Sequence, residues 1–225
     1  MSKHTFTNRA VACLLLGSAV LLTSCGPFIG WTVNAFAPPQ KVDATYEPPK
    51  DKTFLVFVDD MVHPVFYEPV KGELAEKLNR QLVDKGVAAK TIPYSKVLAL
   101  ASATPGFNRL SVSEVGEKLG ADIVLYVIVD KFSLKDNEAT PLWQGRLSTT
   151  VRLVAVGIDR LWPEDRLEGY PVEPLEMSPE THPSPTYGEV LSKKLAEKMA
   201  DRIAKLFYDH EISPAEARER KKEQA

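Results

Sequence analysis

The sequence predicts a single α/β sandwich, a mixed β-sheet packed by about three helices, behind an extended amino-terminal tether. Three observations predict it. Two apolar runs of strand length stand at Phe54 to Val58 and Asp122 to Val129, amphipathic helical stripes lie between and after them, and one long segment alternates like a strand. Continuous apolar runs suit strands covered on both faces, whereas alternation suits a strand with one covered face.

The first strand of the domain begins at Thr53, and Asp59-Asp60 ends it. Lys71 to Asp84 spaces Leu74, Leu78 and Leu82 four apart with charges between them, and Gly86 follows as a stop signal, so this segment is a helix with one apolar face. A short strand is expected at Lys90 to Ile92, a small helix at Ser95 to Ser102 and a turn at Pro105-Gly106. Ser111 with Glu114 three residues later fits a capping box, and Val115, Leu119 and Gly120 complete the helix it opens. Asp122 to Val129 is the expected central strand.

Trp143 to Asp159 reads as one long antiparallel strand. Leu147, Thr149, Val151, Leu153 and Ala155 lie on one side; Arg146, Ser148, Thr150 and Arg152 lie on the other, expected to be wet. Trp162-Pro163-Glu164-Asp165 turns the chain, Leu167 to Val172 is expected to return as a short edge strand, and Pro174, Pro179, Pro183 and Pro185 mark a loop. Tyr187 to Tyr208 closes the domain as a helix with Leu191, Leu195, Met199, Ile203 and Phe207 four apart. These elements place the domain at residues 53–210, followed by a charged tail at 211–225 that is expected to fray.

The chain has 225 residues, 44% of them hydrophobic and 26% charged, enough for one domain with its own core. Both cysteines, Cys13 and Cys25, stand near the amino terminus, which excludes thiol chemistry from the folded part. Lys3 and Arg9 are the only Lys or Arg before Cys25 and no acid accompanies them, so removing that segment takes the formal charge from −2 to −4. An acidic balance argues against general nucleic-acid binding, which needs a basic face to displace phosphate counterions.

Lys3 and Arg9 form a positive start, and Val11 to Leu22 is an uncharged apolar run of 12 residues. That is the length of a signal-peptide core and short of the roughly 20 residues a spanning helix needs. Leu22-Thr23-Ser24-Cys25-Gly26 follows and resembles the lipobox of bacterial lipoproteins. The resemblance implies a signal peptide at residues 1–24, diacylglycerol on Cys25, cleavage before it and acylation of the new amino group. Gly26, where an Asp commonly holds lipoproteins in the inner membrane, implies the inner leaflet of the outer membrane, facing the periplasm. Residues 25–52 then form the lipidated start and a tether carrying Pro27, Pro38, Pro39, Pro48 and Pro49, with a fully extended reach of about 60 to 80 Å. Phe28, Ile29, Trp31, Val33 and Phe36 suit either the lipid interface or docking on the domain.

No phosphate-binding glycine loop, Gly-x-Ser-x-Gly elbow, His-Glu-x-x-His helix or EF-hand loop occurs. Asp59, Asp60, His63 and Asp130 stand at strand ends, where open α/β sheets bind ligands, but strand-end carboxylates more often only solvate a turn. No cofactor or metal is expected. Arg146 and Arg152, flanked by Trp143 and Trp162, are the candidate interaction residues, since exposed Arg and Trp are favoured at interfaces, although arginines on a wet strand face more often only solubilise it and such tryptophans are more often core.

The pattern of Phe54 to Asp60, the helix ending at Gly86, Gly120 to Val127 and the strand through Asp159 resembles small periplasmic domains. These are the amino-terminal domain of the Tol translocation propeller protein, the curli secretion lipoprotein and the lipoprotein activators of penicillin-binding proteins. The resemblance implies a non-enzymatic module that binds another envelope protein. Assembly of copies into an export complex is the structural alternative, and a hydrolase using Asp59, Asp60 and His63 is the enzymatic one.

Overall fold

Residues 39–60, 69–135, 142–184, 186–214 and 216–217 are described by a computed structural model, in which the α/β expectation holds. The chain divides into two compact units, one of residues 1–42 with 210–225 and one of residues 43–209.

In the first unit, β1 (Gln40–Val42) pairs antiparallel with β11 (His210–Ile212), placing Gln40 opposite Ile212 and Val42 opposite His210. Neither strand is visible in the sequence, because three polar-rich residues carry no periodicity of their own. Beyond β11, Ser213 and Glu216 exchange backbone and side-chain hydrogen bonds as a capping box, so the tail begins with a helical turn.

The second unit is built on β2 (Thr53–Asp59), β3 (Lys90–Ile92), β4 (Ile123–Ser133), β6 (Arg146–Ala155) and β7 (Asp159–Trp162), in the spatial order β3-β2-β4-β6-β7. The pairs β2–β3 and β2–β4 are parallel, while β4–β6 and β6–β7 are antiparallel. The parallel pairs are joined through α1 (Pro69–Asp84), α2 (Tyr94–Ala103) and α3 (Val112–Leu119). The expected capping box of α3 is present, with Ser111 Oγ accepting from Glu114 N–H and Glu114 accepting from Ser111 N–H. Gly120 ends that helix in the left-handed conformation at φ 73°.

The closing helix is α4 (Tyr187–Ala204), four residues shorter than expected, because Leu206 and Phe207 donate to carbonyls three residues back and tighten the last turn. Leu195, Met199 and Ile203 of α4 and Leu74, Leu78 and Leu82 of α1 are fully buried as the two helices pack together. Burying a leucine contributes roughly 1.5 to 3 kcal/mol relative to leaving it in water. Thr149 Oγ1 lies 3.3 Å from Met199 Sδ, so α4 covers the sheet face that carries Leu147, Thr149, Val151 and Leu153. A Cβ added at Gly116 would lie 2.6 Å from Val124 Cγ2, which places α3 on the opposite face.

Three expectations are corrected. The segment Trp143 to Asp159 is not one strand: Trp143 belongs to β5 (Leu142–Trp143), which pairs with β10 (Glu180–Thr181), and residues 156–158 turn the chain around Gly157 at φ 78°. The reversal brings Trp162 opposite Leu153 and makes β7 the return strand. Of Leu167 to Val172 only β8 (Tyr170–Pro171) pairs with β6, joined there by β9 (Leu175–Glu176). Together they leave the expected wet side of β6 half-buried.

The end of the segment read as tether is likewise fixed to the second unit. Ala44 N–H donates to Asp209 at 3.0 Å, Tyr46 N–H donates to the Leu206 carbonyl at 3.0 Å, and the Tyr46 ring stacks on Trp162 at 5.8 Å. Residues 26–38 of the tether, with Phe28, Ile29, Trp31, Val33 and Phe36, lie outside the described residues.

Candidate interaction face

Strand geometry puts alternate residues of β2, β4 and β6 on the face opposite α4. Register then aligns Phe57, Tyr126 and Arg152 in one cross-strand row, and Asp59, Ile128 and Thr150 in the next. All six are half-buried. Phe57 and Asp59 lie at the carboxyl end of β2, Tyr126 and Ile128 in the middle of β4, and Thr150 and Arg152 on the antiparallel β6.

The row is held by specific bonds. Phe57 meets Tyr126 at 5.5 Å between ring centroids and Phe107 edge-on at 6.1 Å. The Tyr126 hydroxyl donates to Asp59, and Thr150 Oγ1 donates to Asp130 at 2.8 Å. Burial raises the Tyr126 pKa above its usual range, the Asp59 bond raises it further, and Arg152 pulls it down in part. The Arg152 guanidinium lies 5.0 Å from the Tyr126 ring centroid, a cation–π arrangement. Its Nε is shielded from solvent and has no hydrogen-bond acceptor. Beside it, Gly169 at φ 112° approaches so closely that a Cβ there would lie 2.7 Å from Thr150 Cγ2 and 2.9 Å from Arg152 Cγ. Only glycine lets this loop lie against β6.

The other expected residues are dispersed. Arg146 Nε pairs with Glu176 at 3.0 Å, and Glu176 also accepts from Gln144 at 2.7 Å. Both tryptophans, read as either interface anchors or core, are only 8% exposed and so belong to the core. Trp162 is packed by Tyr46, Tyr170 and Phe207. Trp143 donates Nε1–H to the His182 carbonyl at 3.3 Å, meets Tyr187 edge-on and carries Lys135 Nζ 4.2 Å from its ring centroid. They are buried because the chain from Pro163 to Tyr187 folds back over the strands they flank, which no local pattern shows.

The carboxylates read as a hydrolytic or metal option are engaged elsewhere. Asp59 holds Tyr126, Asp60 pairs with Lys71 at 3.1 Å, and Asp130 holds Thr150. Among the described residues no group of three His, Cys, Asp or Glu side chains is placed to hold a metal ion. Cys25 and His63 lie outside the described residues. Among the described residues, no helix is long and apolar enough to cross a membrane. Sequence reasoning missed Tyr126. The signal was a lone phenol in the apolar run Ile123 to Val129, on the parity opposite Leu125 and Val127.

No family model matches the chain, and no curated protein matches it. Solved structures do. One is the PelC dodecamer from Paraburkholderia phytofirmans, at 14% identity and a TM-score of 0.36, covering 73% of this chain and 96% of that one. A lipoprotein from Neisseria meningitidis is similar at 14% identity and 0.37, covering 68% and 99%, and a Xanthomonas campestris protein at 8% and 0.38, covering 74% and 90%. At these values no residue role passes from them to this chain.

Proposed function

We propose that the chain is a lipid-anchored protein of the bacterial envelope whose α/β domain binds another protein and performs no catalysis. The observation that carries the anchor is the order of a positive start, a 12-residue apolar run and Leu22-Thr23-Ser24-Cys25. Two or three acyl chains on Cys25 hold far more firmly than one, at about 0.8 kcal/mol per buried methylene. Gly26 favours the inner leaflet of the outer membrane, with the domain in the periplasm. The half-buried row of Phe57, Tyr126 and Arg152 supports a binding role, as aromatic and arginine side chains anchor interfaces.

The test is intact-protein mass spectrometry with membrane fractionation on wild type beside Cys25→Ala. A lipidated Cys25 terminus in the outer-membrane fraction, lost in the variant, is expected. A soluble, unmodified mature protein would overturn the anchor.

A further inference from the structure

We draw no further inference here: the strongest candidate, the outward face of α2, where Leu98 is exposed beside Ser95, Ala99, Ser102 and Ala103, carries none because nothing in the structure shows what covers it.

Discussion

The two faces of the central sheet are made by the same strands and obey different rules. On the face under α4, Leu125, Val127, Val151 and Leu153 are buried among α1 and α4, and the single polar side chain of that row, Thr149, rests on Met199. On the other, Phe57, Tyr126 and Arg152 alternate with them, half-buried and linked by ring contacts and hydrogen bonds. The first face stabilises through apolar area removed from water. The second includes a buried Arg152 Nε without a hydrogen-bond acceptor, beside the carboxylates Asp59 and Asp130, and such an unmet donor costs stability. The lesson is that alternation in β6 marks two kinds of interior, and the polar one is where function is to be sought.

Substitutions can break or sharpen this contrast. The largest effect is expected from Leu125→Ala at the centre of the covered face, about 3 kcal/mol of lost stability, seen as a lower urea midpoint with an unchanged slope. Next is Gly169→Ala on the polar side, where the backbone at φ 112° and the neighbours Thr150 and Arg152 oppose a Cβ. A loss of roughly 2 kcal/mol is expected, and a change below about 0.5 kcal/mol would mean that the loop moves freely away from Arg152.

Tyr126→Phe removes the donor to Asp59 and should cost about 1 kcal/mol at neutral pH. Its sharper readout is alkaline. The raised folded pKa makes the tyrosine's contribution complete below its unfolded value of about 10 and lost as pH climbs from there toward the folded value, so wild type loses stability in that window. The phenylalanine variant should show a shallower decline by thermal denaturation. Arg152→Met is expected to leave stability unchanged or raise it by up to about 1 kcal/mol, since it removes an unsatisfied buried donor while keeping a stem of similar length. A clear loss would show that the arginine serves packing instead. Smallest is Lys77→Ala, which breaks the surface pair with Glu197 at 2.5 Å and should change the unfolding free energy, read from urea denaturation, by no more than about 0.5 kcal/mol.

The covered face was legible in the sequence because its signals are local. The apolar run at Phe54, the four-residue stripes of α1 and α4 and the Ser111–Glu114 capping box each predict an element from neighbours in the chain. The polar face was legible only in part. Arg152 stood out by alternation, and Asp59 by ending a strand, but that Tyr126 joins them depends on the registers of β2 with β4 and β4 with β6, which are set by tertiary packing. Between anchor and core the sequence left Trp143 and Trp162 undecided for the same reason: the side chains that cover them, Tyr46, Tyr170, Tyr187 and Phe207, come from other segments of the chain. The pairing of β1 with β11 joins segments some 170 residues apart and leaves no local trace at all.

That last pairing also has a mechanical side. Under the anchored reading proposed above, a pull on the amino terminus while the domain is engaged elsewhere enters the described residues at Pro39 and reaches β1 at Gln40. Since Gln40 lies opposite Ile212 and the strands run antiparallel, a pull on Gln40 drags β1 lengthwise along β11. The ladder bonds then share the load together instead of opening one after another. The clamp is short, but it is loaded in shear, the direction in which a strand pair resists best.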